Sequence, residues 1–521
     1  MGNLKHMNLL RATLFLLMMG KLAAAANASV VIIDAGERRP ISPYIYGVNF
    51  PDWERMRIKF PLARQGGNRL SAYNWENNSS NAGNDWHNQN DDFLGESDVA
   101  GSTVRNFLEE AQSNGAAAIL TVQTIGHVAA DKNPPGDVNK TPDYLNVRFV
   151  PSYARKPGSH YTYPPNTHDH AVYEDEQVWW VERIKSPATP VFYMLDNEPD
   201  LWASTHARIE LKKPGYADII ANNIEYAEAI KDVAPKSLIF GPASYGWNGF
   251  LTFQNAADAQ GRDFLDTYLE AMSSAEKGQH RRLLDALDLH WYPEAMGGGV
   301  RITENADNNS ALEAARIQAP RSLWDPSYIE DSWIAQSLGG QPIRLLPRLL
   351  DQIANHYPGT KLSISEYNFG GGTDPSGLVA QADVLGIFGR YGLFAACNWG
   401  ISIQDTAMLG GFRAYLDYDR QGAKFGDIAL RVTGEIPGMN SVYAALDSSK
   451  VGKMTVVAIN KTAKDQPLSL AFRNFTPKTA QSYTLKEGAY DHPMIGSPPV
   501  TLTGINLSLP PYSVTTLALE K

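Results

Sequence analysis

Eight strand-like runs alternate with helix-like stretches between residues 44 and 401, and this alternation restricts the fold more than any other feature of the sequence. Several runs are continuously apolar, as parallel strands are when helices cover the sheet. The segments YADIIANNIEYAEAIKDVA and IRLLPRLLDQIANHY, which lie between such runs, have the apolar spacing of amphipathic helices. The predicted strands are 44–50, 61–67, 116–123, 191–198, 237–244, 286–293, 361–369 and 393–401.

Eight such units predict an α/β fold of the (β/α)8 or TIM-barrel type over residues 40–430, with long insertions between the elements. A doubly wound open sheet is the structural alternative. That alternative is disfavoured because no glycine-rich nucleotide-binding loop follows the first predicted strand.

The pattern changes after about residue 430, where short strands are separated by turn residues, as in MTVVAINKTAKDQPLSLAF. This pattern of short strands and turns predicts a smaller, antiparallel all-β sandwich. The segment SVVIIDAG, near the start of the chain, is expected to add a strand to it. The second domain is therefore predicted to comprise residues 27–39 and 431–521.

The first residues have the organisation of a secretory signal peptide. Lys5 and Arg11 precede the apolar segment ATLFLLMMG, and the small residues of LAAAANAS follow. The apolar segment is too short to span a bilayer, and cleavage is predicted after Ala26 or Ala28. We therefore expect residues 1–26 to be removed and the protein to be secreted, either to the cell exterior or to the periplasm.

The formal net charge of −10 disfavours nucleic acids and anionic membranes as partners, because both require a basic surface.

The sequence holds one cysteine, Cys397, so no disulfide forms within the chain. Its apolar surroundings in LFAACNWGI indicate a buried core residue rather than a nucleophile. The segment HDH at residues 168–170 has no third metal ligand at a suitable spacing, and metal ligands stay unassigned. We expect a monomer.

Polar residues concentrate at the ends of five predicted strands, in RQGGNR, DNEP, HWYPE, SEYN and NWG. The carboxyl ends of the strands form the face of a (β/α)8 barrel where active sites lie. Glu198 and Glu366 end strands four and seven, which face each other across the barrel mouth. Two carboxyl groups on either side of a glycosidic bond are what its hydrolysis requires, provided that their pKa values differ. The alternative for each glutamate is a solvated side chain without a catalytic role.

Other residues at these strand ends are candidates for contacts with a sugar. Asn197 would suit a hydrogen bond to a hydroxyl beside the reacting carbon. Strand alternation would send Asn197 and Glu198 to opposite faces, so a bulge or turn is required if both reach the site. His290 and Tyr292 follow Asp288 with a period of two and are expected to point into the mouth, although His290 also fits a hydrogen-bonded core position.

Aromatic residues complete the candidate site. Tyr367 follows Glu366 directly and is a candidate for orienting the nucleophile by a hydrogen bond. Trp75, Trp86 and Trp399 are candidates for stacking on the apolar faces of sugar rings, and the alternative for each is packing in the core.

Four segments, in this order along the chain, resemble glycoside hydrolase family 44: RQGGNRLSAYNWENNSSNAGNDW, LDNEPDLW, LDLHWYPEA and LSISEYNFGGG. The resemblance implies a (β/α)8 barrel joined to a β-sandwich that uses both chain ends. It also implies a retaining, endo-acting β-1,4-glucanase, active on soluble cellulose derivatives and often on xyloglucan. Such an enzyme needs no cofactor, and a structural calcium ion, whose ligands the sequence does not identify, is compatible with the family.

The matching motifs also imply roles for individual residues. The resemblance implies that Glu198 is the general acid/base and Glu366 the nucleophile, with Arg64 and Asn197 near the reacting sugar. The aromatics of HWYP match the lining of the cleft. Gln65 departs from the motif, in which we expect an aromatic residue. Retention further implies that the two carboxyl groups lie about 5–5.5 Å apart, against about 6.5 Å or more for inversion.

Three alternatives stay open from the sequence. A non-catalytic carbohydrate-binding protein would keep the tryptophans without needing both glutamates. A barrel hydrolase acting on xylan or mannan would share the strand-end carboxylates, because loops rather than these acids set the sugar. A metal-dependent hydrolase would lose its activity in EDTA.

Overall fold

The computed structural model describes residues 29–304 and 309–521, so the predicted signal peptide at residues 1–26 lies outside the described residues. The chain divides into two compact units. One is Ile41–Leu416, and the other joins the described residues up to Pro40 with Asp417–Lys521. The division lies before residue 430, where the boundary was predicted. The strand Ile428–Thr433, which spans residue 430, pairs with the strand Ser29–Pro40 of the smaller unit.

The larger unit contains a closed barrel of parallel strands, which confirms the predicted (β/α)8 fold. Each of the eight predicted runs supplies one strand, and we number the barrel strands one to eight in chain order. Their bounds are Gly47–Asn49, Leu62–Gln65, Ala117–Val122, Val191–Leu195, Ile239–Tyr245, Ala286–Trp291, Lys361–Tyr367 and Ala395–Asn398.

Amphipathic helices follow most of the barrel strands. In Leu345–His356 the apolar residues Leu345, Leu349 and Ile353 recur every four positions and are buried, as expected for a helix with one face on the core. The other long helices are Ser102–Ser113, Glu174–Ile184, Tyr216–Val233, Phe264–Gln279, Ser310–Gln318, Pro375–Tyr391 and Thr406–Leu416. Shorter α-helices are Trp53–Met56, Asn68–Ser71, Tyr144–Val147, Trp202–Thr205, Gly246–Thr252 and Trp333–Ser337.

Side chains from the strands fill the barrel. Ile119, Phe192 and Phe240, from strands three, four and five, belong to one buried cluster with Cys397 of strand eight. The sulfur is free and buried, which confirms the prediction of a core cysteine. A packed interior means that the chemistry lies at the barrel's carboxyl end, not in a central channel.

Loops after strands two, three and six carry small sheets of their own. The strands after barrel strand two are Tyr73–Asn74, Ser79–Asn81 and Asn90–Asp91. Those after barrel strand three are His127–Ala129, Phe149–Tyr153 and Val172–Tyr173, and those after barrel strand six are Met296–Gly297 and Val300–Arg301. These are the insertions that the length of the barrel region predicts.

The smaller unit is all-β, as predicted, and Ser29–Pro40 is its first strand. Its strands form one continuous ten-stranded sheet within the described residues. Val31, Val456, Leu470 and Leu517 belong to a single buried cluster, so the sheet curls to enclose one core. The pairing is antiparallel except between Ser29–Pro40 and Gln466–Arg473, which run parallel. The other strands are Ile428–Thr433, Asn440–Leu446, Lys453–Asn460, Thr479–Leu485, Met494–Gly496, Val500–Thr501, Gly504–Leu509 and Ser513–Glu520.

Among residues 29–304 and 309–521, no helix has the length and apolar composition that a membrane crossing requires.

Candidate active site

The backbone after barrel strand four turns in a way that strand alternation does not predict. The strand ends at Leu195, and Asp196 and Glu198 both adopt left-handed conformations, with φ of 61° and 44°. Such conformations are strained in non-glycine residues and concentrate at functional sites. They supply the turn that the sequence required, because the side chains of Asn197 and Glu198 both reach polar partners in the mouth.

Glu366, near the end of barrel strand seven, is held by two hydrogen bonds, one to each carboxylate oxygen. The Nη1 atom of Arg64 donates to Oε1 at 2.6 Å, and the hydroxyl of Tyr292 donates to Oε2 at 2.7 Å. All three side chains are buried or nearly so. The two donors fix the orientation of the carboxylate, and the guanidinium forms a buried ion pair with it.

His290 connects the two glutamates. Its Nδ1 atom lies 2.8 Å from Oε1 of Glu198 and 3.5 Å from Oε2 of Glu366. A register shift between Leu289 and His290 pairs His290 with Glu366 across barrel strands six and seven. Shifts of this kind re-aim side chains beside active sites. The predicted direction of His290 and Tyr292 into the mouth is therefore observed.

Burial shifts the pKa values of Glu198 and His290 in opposite directions. It raises the pKa of Glu198 to about 8, although Arg64 opposes the shift, and the charge of Asp85 adds to it. It lowers the pKa of His290 to about 4. At neutral pH, Glu198 therefore carries its proton and the imidazole is uncharged. Because Arg64 pairs with Glu366 and not with Glu198, the site holds one protonated and one charge-paired carboxyl group.

Arg64 organises the polar residues around Glu366. Its Nη2 atom donates to Oδ1 of Asn197 at 2.8 Å, and Nη1 also donates to Oδ1 of Asn49 at 3.1 Å. Asn49 in turn donates to the backbone oxygens of Ser365 and Asn398. Asn49 was not among the residues predicted from the sequence. Its position as the polar end of the apolar run YIYGVN was the available signal.

Tyr245, at the end of barrel strand five, was also missed. Its ring lies 6.5 Å from the ring of Tyr292, centroid to centroid. Burial raises the pKa of the Tyr245 hydroxyl, and the charge of Glu198 adds to this shift. The sequence signal was weak because the run SLIFGPASY ends in a single aromatic without a neighbouring acid.

Two aromatic residues predicted to bind substrate lie away from the mouth. Tyr367 has no exposed surface, accepts a hydrogen bond from Gln381 on the helix Pro375–Tyr391, and packs edge-on against Phe388. It follows Glu366 in the strand, and alternation turns it outward. Trp75 is fully buried and stacks on Trp180. Both predictions are corrected, because these rings fill the core behind the site.

The other two tryptophans keep accessible surface. Trp399, directly after barrel strand eight, is partly buried and lines a pocket together with Gly67. Trp86 is 56% exposed and follows Asp85, whose carboxylate accepts a hydrogen bond from Asn68. Their role as platforms for sugar rings remains a prediction.

The three groups Glu198, His290 and Glu366 each offer one ligand atom within 4.8 Å of the others. This spacing would also suit a metal ion. Glu366, however, already has a cationic donor on one oxygen and a hydroxyl donor on the other. The HDH segment at residues 168–170, to which no metal was assigned from the sequence, belongs to no cluster of three such ligands among the described residues.

A barrel with two buried glutamates facing each other at its carboxyl end, one protonated and one paired with arginine, defines the class of glycoside hydrolases with two catalytic carboxyl groups. Sequence comparison narrows the class. A sequence model of glycoside hydrolase family 44 matches residues 79–295. Endoglucanase A of Paenibacillus lautus is 38% identical over 485 residues, which cover 88% of this chain and 67% of that protein.

Solved structures agree with this assignment. A family 44 endoglucanase from Clostridium thermocellum is 36% identical and superposes with a TM-score of 0.87, covering 95% of this chain and 100% of that one. A family 44 xyloglucanase from Paenibacillus polymyxa, solved with xyloglucan, is 31% identical with a TM-score of 0.87, covering 94% and 99% of the two chains. The chain belongs to glycoside hydrolase family 44.

Proposed function

We propose that the chain is a secreted, retaining endo-β-1,4-glucanase that cleaves internal bonds of cellulose-type glucans and of xyloglucan. One observation carries the proposal: an oxygen of Glu198 and an oxygen of Glu366 lie within 4.8 Å of one another and of His290 Nδ1. Retaining enzymes hold their carboxyl groups about 5–5.5 Å apart, and inverting enzymes need about 6.5–9.5 Å to admit a water molecule.

The reaction proceeds by two displacements. A carboxylate oxygen of Glu366 attacks the anomeric carbon while Glu198 gives its proton to the departing glycosidic oxygen, which breaks the bond and leaves a glycosyl-enzyme. Water then attacks the same carbon, Glu198 takes a proton from it, and the bond to Glu366 breaks. Arg64 and Tyr292 stabilise the charge on Glu366 when it is free. Burial raises the pKa of Glu198, so this group holds at neutral pH the proton that it gives to the leaving oxygen.

The names of similar proteins support the substrate class. The relatives described above are an endoglucanase from Paenibacillus lautus, an endoglucanase from Clostridium thermocellum and a xyloglucanase from Paenibacillus polymyxa. The catalytic groups set the reaction, and the loops around the mouth set the choice of sugar. Xylan and mannan are therefore the alternative substrates to measure.

The deciding experiment measures reducing-end release and viscosity on carboxymethyl cellulose and xyloglucan, with xylan and mannan as comparisons. Endo-cleavage lowers viscosity well before many reducing ends appear. Glu366→Gln should lower kcat by several orders of magnitude. Glu487→Gln, which changes an exposed glutamate of the smaller unit, is the matched control and should keep full activity. If neither glucan is cleaved but both bind, the protein is a carbohydrate-binding protein instead.

Retention is tested by the configuration of the first product. Proton NMR of a reaction on a soluble cello-oligosaccharide should show the β-anomer first, followed by slow mutarotation. Initial formation of the α-anomer would contradict the two-step mechanism. A covalent trap, such as a 2-fluoroglycoside with a good leaving group, should label Glu366 and not Glu198.

The proposed reaction needs no metal ion and takes place in a monomer. EDTA should leave kcat unchanged, and a fall in kcat restored by added metal would favour the metal-dependent alternative. A structural calcium ion, with which the family resemblance is compatible, would instead appear as a lower melting temperature in EDTA. Secretion is tested by the amino terminus of the exported protein, which should begin at Asn27 or Ser29.

A further inference from the structure

The turn after barrel strand four holds Glu198 in a backbone conformation that its residues do not favour. Asp196 and Glu198 are both left-handed, with φ of 61° and 44°, and neither is a glycine. Backbone of this kind persists only where the surrounding structure determines it. The contacts that hold this turn therefore decide where the carboxyl group of Glu198 points.

Asp196 ties the start of the turn to the loop after barrel strand three. Its side chain is fully buried and accepts hydrogen bonds from backbone N–H groups on both oxygens. Oδ2 accepts from Thr124 and Ile125 at 2.5 and 3.1 Å, and Oδ1 accepts from Asn197 at 2.8 Å. Because a backbone N–H can only donate, these bonds require an acceptor oxygen on each side of the carboxyl group.

Asp200 ties the end of the turn to barrel strand five. Its buried carboxylate accepts a hydrogen bond from the backbone N–H of Tyr245 at 3.0 Å and another from the side chain of Gln254 at 3.3 Å. A Cβ atom on Gly249 would lie 2.3 Å from Oδ2 of Asp200. The helix Gly246–Thr252 therefore packs closely against the carboxylate and confines it.

The backbone of Glu198 lies between these two anchors and is itself bonded to barrel strand five. Its N–H donates to the carbonyl oxygen of Ala243 at 2.9 Å. Ala243 is the extra residue at the register shift between Pro242 and Ser244, and such bulges re-aim groups beside active sites. From this backbone the Glu198 side chain reaches Nδ1 of His290 at 2.8 Å. The orientation of the carboxyl group thus follows from contacts on both sides of the turn.

We propose that Asp196 and Asp200 are positioning residues for acid catalysis, which hold the turn so that Glu198 presents its proton to the departing glycosidic oxygen. Both act through Glu198 and neither transfers a proton itself. A proton donor must lie within about 2.6–3.2 Å of its acceptor, so a small displacement of the turn is enough to prevent transfer. The inference rests on the proposed function, since it requires Glu198 to be the general acid.

Leaving groups of different basicity separate loss of the acid from general damage to the site. Departure of a sugar needs a proton from Glu198, whereas departure of a dinitrophenolate does not. The measurement is kcat/KM, which includes the steps up to the glycosyl-enzyme, on cellohexaose and on dinitrophenyl cellobioside. Asp196→Asn should lower the cellohexaose value at least tenfold and leave the aryl glycoside within twofold, because a single amide oxygen cannot accept from N–H groups on both sides. An equal loss on both substrates, or no loss on either, overturns the proposal.

Asp200 provides an independent test through two substitutions. Asp200→Ala removes both of its hydrogen bonds and should produce the same selective loss on cellohexaose. Asp200→Asn should restore the cellohexaose value to within twofold of the wild type, because its oxygen can accept from Tyr245 while the amide of Gln254 turns to present its own oxygen. If Asp196→Asn melts early, a selective loss in Asp200→Ala supports the proposal, and an equal loss or no loss there overturns it.

Asp285→Asn is the matched structural control. Asp285 is a buried carboxylate just before barrel strand six, at the opposite end of the barrel, and it accepts from the backbone N–H of Ile239 at 2.9 Å and pairs with Lys231. Its loss should lower the melting temperature and leave the ratio of the two kcat/KM values unchanged. A selective loss on cellohexaose in this variant, as large as in Asp196→Asn, would show that lowered stability alone produces the effect and would overturn the proposal.

Glu198→Ala separates this proposal from the proposed function. It should lose activity on cellohexaose and retain the first step on the aryl glycoside. If Glu198→Ala shows this selectivity and the variants of Asp196 and Asp200 do not, the proposed function is retained and the positioning role is rejected. If Glu198→Ala loses both substrates equally, the acid role of Glu198 is rejected, and the positioning role with it.

Discussion

Arg64 and Glu366 form an ion pair inside the barrel, with Nη1 2.6 Å from Oε1 and side-chain exposures of 0% and 6%. The same guanidinium bonds to Asn49 and Asn197, so it links barrel strand one, strand two and the turn after strand four to Glu366, the proposed nucleophile on strand seven. A single side chain thereby fixes the position of Glu366 and of a predicted sugar ligand.

Replacing Arg64 with methionine should impair both activity and stability. Removing one partner of a buried pair costs about 3–5 kcal/mol in the free energy of unfolding, because the remaining charge is left unpaired. We expect kcat to fall by at least ~100-fold, as for loss of a group that stabilises charge in an active site. Denaturant unfolding and steady-state kinetics provide the two measurements.

The matched control for this change is Arg431→Met. Arg431 pairs with Glu37 on the surface, with exposures of 58% and 59%, and such pairs contribute about 0–1 kcal/mol. Its loss should leave kcat unchanged. An Arg64 variant as stable and active as the control would show that the ion pair is dispensable.

The alkaline limb of the pH–rate profile should report Glu198. Burial raises the pKa of Glu198 to about 8, and only the protonated form can act as the general acid. The value of kcat/KM should therefore hold through neutral pH and fall as the pH rises through about 8. The measurement is the pH dependence of kcat/KM on a soluble oligosaccharide.

Glu198→Ala provides the control for this profile. With an activated aryl glycoside, whose leaving group needs no proton, the variant should still release the phenol in a first burst and should lose the alkaline limb. An alkaline limb that persists unchanged in Glu198→Ala would assign the titration to another group.

The raised pKa of Glu198 also has a consequence for stability. Between pH 4.5, where an ordinary glutamate titrates, and about pH 8, the folded state binds this proton and the unfolded state does not. The contribution of the protonated group to the free energy of unfolding is therefore complete below about pH 4.5 and is lost as the pH rises toward 8. Glu198→Gln, which stays neutral, should melt at a temperature that exceeds the wild-type value by more at pH 8 than at pH 5.

The comparison that isolates this effect is Glu487→Gln, at an exposed position. Its melting temperature should follow the wild type across the same pH range. A constant difference between Glu198→Gln and the wild type at all pH values would argue against a raised pKa at Glu198.

The two tyrosines near Glu366 should respond differently to loss of the hydroxyl. Tyr292→Phe removes the donor to Glu366 Oε2. We expect kcat to fall about 10- to 100-fold and the free energy of unfolding to fall by about 1.5–3 kcal/mol, because the lost hydrogen bond is to a charged group. Tyr367→Phe removes only an acceptor of Gln381 behind the strand. It should cost about 0.5–1.5 kcal/mol in the free energy of unfolding and leave kcat within about twofold of the wild type.

Kinetics and unfolding on the same two proteins decide this prediction. A larger kinetic effect in Tyr367→Phe than in Tyr292→Phe would restore the role that the sequence alone assigned to Tyr367, and would contradict the placement of its ring in the core.

Substitutions of two tryptophans should also have different effects, one on stability and the other on KM. Trp75→Ala empties a fully buried position that stacks on Trp180, so it should lower the free energy of unfolding by about 3–5 kcal/mol. Trp399→Ala removes an accessible ring of the pocket wall. It should raise the KM for glucan and lower the free energy of unfolding by less than Trp75→Ala does. Unfolding curves and KM values for the two variants are compared directly.

The barrel was predictable because its pattern is local. Runs such as AAAILTVQ and VFYMLDNE are apolar for as long as a buried parallel strand, and the strands Ala117–Val122 and Val191–Leu195 fall inside them. The same argument placed Glu198 and Glu366 at strand ends on one face of the barrel. Closed-barrel geometry then brought them together without any knowledge of side-chain contacts.

The sequence by itself therefore determined the order of the strands, the second all-β unit and the placement of Glu198 and Glu366 at two strand ends, because periodicity and strand ends are local properties. Only the tertiary structure decided which neighbours reach the mouth. Left-handed residues at Asp196 and Glu198 and the register shift before His290 turn side chains against strand alternation. The partners that bury Trp75 and Tyr367 lie on helices, outside the segments that carry the two rings. Such contacts join separate elements of the fold, so no pattern within one strand predicts them.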